Sequence, residues 1–211
     1  MTSDWLQNAR TSYDTVAESY ATLLRDLLAD APYERAALAA FAERASSRGP
    51  VADVGCGTGR ITAHLTSLGV DAFGLDLSPG MIDQARRDHP ALRFAVASMT
   101  DLPLRDDTLG GLLAWYSLIH VPDEALSGVL AHFHRTLRPG GPLLLAFHAG
   151  DQTRLKTEGY GGHPMNVHVH HRTASSVAER LSEAGFAVEA TTVLSSPEST
   201  HGAILHARRA G

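Results

Sequence analysis

The stretch VADVGCGTGR, residues 51–60, joins a short apolar run to a segment with helix-forming character. The run from Val51 to Val54 predicts a buried strand, and glycines follow at positions 55, 57 and 59. Glycines at such a junction let the backbone turn tightly and let a ligand approach the start of the helix. We therefore expect a strand, a loop and a helix that together hold a nucleotide-like ligand.

The spacing of the glycines narrows the class of ligand. The dinucleotide fingerprint Gly-x-Gly-x-x-Gly/Ala requires a small sixth residue, but counting from Gly55 that position is Arg60. A phosphate-binding P-loop requires a lysine after its second glycine, and the first lysine of the chain is Lys156. The loop therefore disfavours NAD, FAD and ATP, and it favours a ligand with a ribose and no phosphate, such as S-adenosylmethionine.

An acidic residue, Asp76, ends the next predicted strand and lies 17 residues beyond Gly59. At that position a carboxylate can accept hydrogen bonds from both hydroxyls of a ribose. Asp76 is also suited to cap the helix that begins near Pro79, although Ser78 can fill the same role. The sequence predicts ribose binding and leaves the capping interpretation open.

Outward from this stretch, short apolar runs alternate with amphipathic segments, a pattern typical of β-α-β units and a parallel sheet. The predicted strands are residues 51–54, 72–75, 94–97, 111–115, 143–147, 166–171, 187–194 and 202–208. The predicted helices are residues 13–28, 33–45, 60–68, 81–88, 123–137 and 174–184. Residues 150–165 are polar and glycine-rich, and we expect them to form a long loop of the kind that often covers a site.

The composition of the 211 residues sets the broad class of protein. A hydrophobic content of 44% suits one domain with one substantial core. The net charge of −5 and the absence of a basic block argue against a nucleic-acid partner. The single cysteine, Cys56, excludes an internal disulfide framework, and neither a secretion signal nor a membrane-length apolar segment is evident. We expect a cytoplasmic protein, either a monomer or a homodimer, with no membrane association.

Four blocks carry a family resemblance: VADVGCGTGR, GLDLSPGMIDQAR, LLAWYSLIHVPDEAL and LRPGGPLLLAF, in that order. With them the chain resembles the class I S-adenosylmethionine-dependent methyltransferases, in particular a small bacterial group that acts on small molecules, over nearly its whole length. The resemblance implies an α/β, Rossmann-like three-layer sandwich whose seven-stranded, mostly parallel sheet has the order 3-2-1-4-5-7-6 with the last strand antiparallel. It also implies one domain, residues 1–211, with an N-terminal helical cap (1–48), a cofactor-binding core (49–148) and a lid loop with C-terminal hairpin strands (149–211).

The same resemblance implies a binding site for S-adenosylmethionine, with S-adenosylhomocysteine as product. The implied contacts are Tyr13, Tyr20, Gly55, Cys56, Gly57, Gly59, Arg60, Asp76, Leu77, Met81, Ser98, Met99 and Ala114. One departure from the family pattern stands out. Many relatives carry an aspartate after strand 3 to accept the adenine amino group, where this chain has Ser98 and offers Asp101 as an alternative acceptor.

Candidates for acid-base chemistry come from the histidines and tyrosines, because histidine titrates near working pH. His120 and His148 follow strands at the carboxyl edge of the sheet, and His163 lies in the glycine-rich segment. Tyr20 is a further candidate. The residues expected to line an acceptor pocket are Trp115, Tyr116, Ile119, Tyr160 and His168, which suit a flat, partly apolar molecule.

A metal site is a further interpretation of the histidines. His168 and His170 alternate along a predicted strand and so point to the same side, but neither a carboxylate nor a cysteine stands at ligand spacing beside them. We expect no metal. The sequence thus predicts methyl transfer to a small molecule, with an aromatic or heteroaromatic natural-product intermediate favoured and N-, O- and C-methylation open. The alternatives are an NAD-dependent oxidoreductase on a related fold and a non-catalytic S-adenosylmethionine-binding protein.

Overall fold

The computed structural model describes residues 4–196 and 199–211. The helices are α1 (Asp4–Leu24), α2 (Pro32–Ala45), α3 (Arg60–Ser67), α4 (Pro79–Asp88), α5 (Asp123–Thr136) and α6 (Ala174–Glu183), with a 3₁₀ helix at Leu118–His120. The strands are β1 (Val51–Val54), β2 (Ala72–Asp76), β3 (Arg93–Val96), β4 (Gly111–Trp115), β5 (Pro142–Phe147), β6 (Thr153–Gly159), β7 (His163–His170), β8 (Phe186–Ser196) and β9 (Ser199–Arg209). None of the helices in the described ranges is long and apolar enough to span a bilayer.

Seven of these strands form one sheet in the order β3-β2-β1-β4-β5-β9-β8. The five N-terminal strands pair in parallel, and β9 runs antiparallel to both β5 and β8. This is the predicted order with its antiparallel last strand, so the predicted fold class is confirmed. Because β1, β2 and β4 are parallel neighbours, their carboxyl ends meet at one edge of the sheet, where α/β proteins place their ligands.

Helices cover both faces of the sheet, as the three-layer prediction requires. On one face, α5 and α6 bury apolar side chains such as Leu130, Phe133 and Leu181. On the other face, α2 and α3 bury Phe41 and Leu65. The strands β1, β4 and β5 are buried along their whole length, since both of their faces meet a helical layer.

Helix α1 begins at Asp4, nine residues before the predicted start. Its buried positions return at intervals of three and four, but they carry small side chains, among them Ala9, Ser12 and Val16, which give a weak hydrophobic signal. Small side chains let α1 approach its neighbours closely. The helix packs against β7 and α4, and the Ser12 Oγ accepts a hydrogen bond from the Asn166 backbone N–H at 2.9 Å.

A single carboxylate joins α1 to the start of α4. Asp14 Oδ1 accepts hydrogen bonds from the Ser78 hydroxyl at 2.6 Å and from the Gly80 backbone N–H at 2.8 Å. Negative charge at a helix N-terminus is favourable, because the first backbone N–H groups of a helix have no partner within it. Helix α1 is thereby fastened across the carboxyl edge of the sheet.

The prediction of a long loop over residues 150–165 is wrong. β6 and β7 form an antiparallel hairpin, paired from Thr153 with His170 to Gly159 with His163, and the predicted strand 166–171 is only the second half of β7. β6 is mostly exposed and so lacks apolar alternation, which is the signal that predicts a strand. Pairing with β7, which buries Met165 and Val167, provides the order that the sequence of β6 does not reveal.

A buried arginine after β7 holds the segment between β4 and α5. Arg172 donates hydrogen bonds to the carbonyls of Leu118 at 3.2 Å and Val121 at 2.5 Å, and its guanidinium pairs with Asp123 at 2.9 Å. One side chain thus satisfies two backbone carbonyls of the turn that contains His120. The position of His120 therefore depends on a residue more than fifty positions further along the chain.

Replacing Arg172 with leucine should lower the free energy of unfolding by about 3 kcal/mol, because two carbonyls lose their donor in a buried setting. The matched control is Arg154→Leu on the exposed strand β6, which should change stability by less than about 0.5 kcal/mol. Urea denaturation of both variants measures the difference. Equal losses in the two variants would show that Arg172 does not hold the segment.

Candidate functional site

One pocket opens at the carboxyl edge of the sheet, beneath α1, with a cavity volume of about 100 Å³. Helix α1 contributes Trp5, Leu6, Ala9, Tyr13 and Tyr20, and the glycine loop contributes Gly55 and Gly57. The segments after β2, β3 and β4 contribute Asp76, Leu77, Met81, Ala97, Ser98, Met99, Trp115, Tyr116, Ser117, His120 and Val121.

The glycine loop owes its shape to backbone conformations that other residues rarely adopt. Gly55, Gly57 and Gly59 all have positive φ, at 80°, 54° and 79°. A Cβ at Gly55 would lie 2.2 Å from the Cβ of Ser117, and a Cβ at Gly59 would lie 2.6 Å from the ring of Phe94. Gly55 and Gly57 line the pocket, whereas Gly59 faces Phe94 and allows close packing of α3.

Asp76 ends β2 at the floor of the pocket, and each of its carboxylate oxygens accepts one backbone hydrogen bond. Oδ2 accepts from Gly57 N–H at 2.8 Å, and Oδ1 accepts from Ser78 N–H at 2.9 Å. The cap of α4 is Ser78, whose Oγ accepts from Met81 N–H at 3.0 Å. Burial raises the pKa of Asp76, and the hydrogen bonds from the two backbone N–H groups reduce this increase. Each oxygen keeps a second lone pair, so the carboxylate can accept two further donors from a ligand.

Asp53, a second acid, lies inside the apolar strand β1 and is fully buried. Its Oδ2 accepts a hydrogen bond from the Thr62 hydroxyl at 2.6 Å, while Oδ1 has no hydrogen-bond partner among the described residues. Burial raises the pKa of Asp53 to about 7. A small cavity touches Asp53 and also Tyr20, Cys56 and Arg60. A buried carboxylate that lines a cavity favours cationic groups nearby, and Arg60, which lowers the pKa of Asp53, is one such group.

Sequence reasoning missed Asp53 as a site residue. The available signal was an aspartate inside a strand that is otherwise apolar, because a buried acid in such a place needs a partner. The sequence also missed Trp5, Leu6 and Ala9, since the N-terminal part of α1 was not predicted to be helical. Ser117, whose hydroxyl donates to the Val54 carbonyl at 2.7 Å, joins β4 to β1 beside the loop and had no recognisable signal.

The side of the pocket near β3 is mostly apolar. Leu77, Met81 and Met99 line it, which suits a flat ring. The Ser98 hydroxyl lies 2.7 Å from the Thr100 hydroxyl, so it is held locally but remains in the lining. Asp101, the alternative acceptor, is exposed and does not line the pocket.

His120 is held by contacts with two other elements. Its Nε2 lies 2.7 Å from the Tyr13 hydroxyl, and its Nδ1 lies 2.8 Å from the backbone carbonyl of His168 on β7. A carbonyl only accepts hydrogen bonds, so Nδ1 carries the proton and Nε2 accepts from Tyr13. Burial lowers the pKa of His120 to about 4. The imidazole is therefore neutral, with its basic nitrogen turned toward the pocket-lining Tyr13.

The other histidine candidates lie outside this lining. The His148 ring is 5.1 Å from the ring of Tyr116 and stacks on His171 at 5.4 Å. His163 begins β7, and the backbone there pairs with Gly159. Of the three histidines proposed for chemistry, only His120 lines the pocket.

The remaining predicted contacts divide between the pocket, its cover and the core. Tyr160 packs on Tyr20 with ring centroids 4.7 Å apart and so covers the pocket from the hairpin. His168 exposes its side chain and contributes its carbonyl. Ala114 and Ile119 are buried in the core and do not line the pocket. Across residues 4–196 and 199–211, no group of three metal-ligating side chains comes together.

Residues 51–141 match the family model described as "Methyltransferase domain". The chain is 30% identical to an O-methyltransferase of Aspergillus nomiae over 166 residues, which is 67% of this chain and 73% of that protein. It is 33% identical to a malonyl-[acyl-carrier protein] O-methyltransferase of Yersinia pestis over 96 residues, 46% of this chain. The chain spans only 35% of the length of the Yersinia pestis relative.

Among solved structures, the chain is similar to Burkholderia thailandensis 1,6-didemethyltoxoflavin-N1-methyltransferase with bound 1,6-didemethyltoxoflavin and S-adenosylhomocysteine. The two are 25% identical with a TM-score of 0.72, over 100% of this chain and 92% of that chain. The likeness therefore includes α1 and the hairpin β6–β7 as well as the segment that the family model matches.

Replacing Gly55 with alanine should cost more than about 3 kcal/mol of stability, since it combines a positive-φ strain of about 1–2 kcal/mol with a clash against Ser117. Made in a Ser117→Gly background, the same substitution should cost only the strain. The control is Gly69→Ala, which has a similar φ of 84° and nothing within 4 Å of the added Cβ. Thermal unfolding tests this prediction. A Gly55→Ala loss no larger than that of Gly69→Ala would contradict it.

Proposed function

The chain belongs to the class I S-adenosylmethionine-dependent methyltransferases, and on that premise we propose that it binds S-adenosylmethionine beneath α1 and transfers the methyl group to a small molecule. The observation that carries the proposal is the carboxylate of Asp76. It braces the glycine loop through Gly57 and still faces the pocket with lone pairs to spare. This is the arrangement that a ribose with two free hydroxyls requires.

The pocket fits the chemical groups of the donor. Asp76 would accept the ribose hydroxyls, and the apolar wall of Leu77 and Met81 would pack on the adenine. Asp53, with its unpartnered Oδ1, would attract the cationic amino group of the methionine part. When bound, the donor supplies a methyl group on a positively charged sulfur. The tyrosines of α1 and the hairpin would exclude water from that group.

The nicotinamide alternative is disfavoured by charge as well as by spacing. Asp53 lies beside the glycine loop, where a dinucleotide would place its anionic pyrophosphate. An ionised carboxylate at that point would repel the pyrophosphate, whereas Asp76 would suit the ribose of either ligand. A donor whose net charge is positive would instead be attracted by an acidic residue at the glycine loop.

For the acceptor, we propose a flat, partly apolar molecule. Trp5, Trp115 and Tyr116 line the same pocket and present aromatic surface beside the donor region. The similar Burkholderia thailandensis enzyme was crystallised with 1,6-didemethyltoxoflavin, which supports an aromatic or heteroaromatic acceptor for this chain as well. The same arrangement supports one functional unit, in which α1 covers the pocket, α2 packs on a face of the sheet and the hairpin β6–β7 closes over the acceptor.

The direct test is incubation of the protein with methyl-labelled S-adenosylmethionine and small-molecule pools, followed by mass spectrometry. We expect a labelled product of low molecular mass. Donor binding without any labelled product would favour the non-catalytic alternative. Tight binding of NAD(H), with none of S-adenosylmethionine, would overturn the proposal in favour of an oxidoreductase.

Replacing Asp76 with alanine should weaken donor binding by about 2 kcal/mol, or roughly 30-fold, because two hydrogen bonds to a charged acceptor are lost. The matched control is Asp71→Ala. Asp71 lies just before β2, is exposed and pairs with Arg93 away from the pocket. Isothermal titration calorimetry measures both affinities. Equal donor affinity in the Asp76 variant and the wild type would contradict the proposal that Asp76 binds the ribose.

Donor binding should also depend on the ionisation of Asp53. Its pKa of about 7 means that the carboxyl is mostly neutral at pH 6 and mostly ionised at pH 8. Attraction of a cationic amino group therefore rises with pH, and affinity should increase by about tenfold over that interval. In Asp53→Asn the affinity should be low and independent of pH. Titrations at pH 6, 7 and 8 measure this, and parallel pH dependence in the two proteins would exclude Asp53 from donor binding.

A further inference from the structure

We propose that Tyr13 and His120 form a proton relay to the acceptor, so that the acceptor is an aromatic compound with a proton on its reacting oxygen or nitrogen. This inference rests on the proposed methyl transfer. It adds to that proposal the identity of the base, the path of the proton and the chemical class of the acceptor. Phenols and heteroaromatic N–H compounds belong to this class, whereas substrates without a proton on the reacting atom do not.

The geometry of the relay comes from three elements that are far apart in sequence. Tyr13 lies on α1, His120 ends the 3₁₀ helix after β4, and His168 lies on β7. The carbonyl of His168 accepts a hydrogen bond from Nδ1–H, which leaves Nε2 as an acceptor for the Tyr13 hydroxyl. Both Tyr13 and His120 line the pocket, so the relay ends at the place where an acceptor would lie.

The surroundings keep the imidazole neutral before the transfer. Burial makes the largest contribution to the lowered pKa of His120, and Lys156 on β6, His148 after β5 and His170 on β7 lower it further. The Tyr13 hydroxyl stays protonated, because burial and the neighbouring Tyr160 and Tyr20 raise its pKa. Each member of the relay therefore begins in the state that the proton path requires.

The proposed step balances in charge and atoms. A lone pair of the acceptor atom forms the bond to the methyl carbon, and the electron pair of the broken carbon–sulfur bond stays on sulfur. The acceptor proton passes to the Tyr13 oxygen while the Tyr13 proton passes to His120 Nε2. One positive charge thereby leaves the sulfur and one appears on the imidazole, so the net charge of the site is unchanged.

A weakly basic histidine is sufficient for this step. The acceptor proton becomes far more acidic as its atom gains an additional bond and positive charge, so the base is needed only late in the transfer. Loss of the sulfonium charge also removes a repulsion that opposes protonation of His120. Proton uptake by the relay is thus favoured at the point where the methyl group has moved.

The hairpin β6–β7 positions the base, His120. His168 orients the imidazole through its backbone, and β7 is held on α1 by the bond between Asn166 and Ser12. Arg172, which follows β7, holds the turn that contains His120. Helix α1, the hairpin and the segment after β4 must therefore be in place together before His120 has the tautomer that accepts a proton.

The tautomer of His120 is tested without any acceptor by ¹⁵N NMR of the full chain, with the signal assigned by its loss in His120→Gln. We expect a neutral ring protonated at Nδ1 from pH 5.5 to pH 8. A neutral ring protonated at Nε2 would overturn the relay. Calorimetry with S-adenosylmethionine in the same samples tests the proposed function separately, because donor binding does not depend on the tautomer.

The proton path is tested by single-turnover methylation of a panel in which 8-hydroxyquinoline and indazole are paired with 8-methoxyquinoline and 1-methylindazole. We expect product only from the compounds that carry O–H or N–H, and a rate at least about 100-fold lower in Tyr13→Phe and in His120→Gln with donor affinity retained. The matched control is His132→Gln on α5, distant from the pocket, which should keep the wild-type rate. Methylation of the proton-free compounds, or an unchanged rate in Tyr13→Phe, would overturn the relay while leaving methyl transfer itself established.

Discussion

The site depends on one close approach, in which the turn after β4 rests directly on the glycine loop after β1. Any side chain at Gly55 would overlap Ser117, and the Ser117 hydroxyl fastens the two segments by donating to the carbonyl of Val54. This contact fixes the distance between the turn after β4 and the glycine loop. It therefore also helps to position Trp115 and His120, which lie on either side of Ser117. A residue without a Cβ is therefore what brings the acceptor side of the pocket within reach of the donor side.

Charge in the pocket is arranged around the expected positive donor. Asp53 and Asp76 are the acids at the glycine loop, and burial raises the pKa of both. An uncompensated carboxylate in such a place is costly, and a cationic ligand relieves that cost. His120, on the opposite side, is kept neutral by the same lack of solvent. Desolvation thus favours a cationic ligand beside the two acids and keeps the imidazole of His120 uncharged before any transfer.

The cover of the pocket is built from parts that have little stability of their own. A two-stranded hairpin is marginal in water, and β6 has few buried side chains. The hairpin gains its order from α1, whose small side chains Ala9 and Ser12 permit close packing against Met165 and Val167 of β7. Asp14 then anchors α1 to the start of α4. The cover and the donor site are therefore linked by a few specific contacts.

By itself the sequence predicted the central sheet and the glycine loop with its following acid. β1 and β4 have the predicted bounds, and Gly55, Gly57 and Asp76 were found from spacing alone, because a strand–loop–helix turn is governed by residues that are neighbours in the chain. Only the tertiary structure decided the early start of α1, the hairpin in place of a loop, and that His120 lines the pocket while His148 and His163 do not. Tyr13 and His120 are 107 residues apart, and no local pattern predicts that two such side chains will meet. Their pairing results from the packing of α1 and β7 over the sheet, and packing depends on long-range contacts that spacing does not encode.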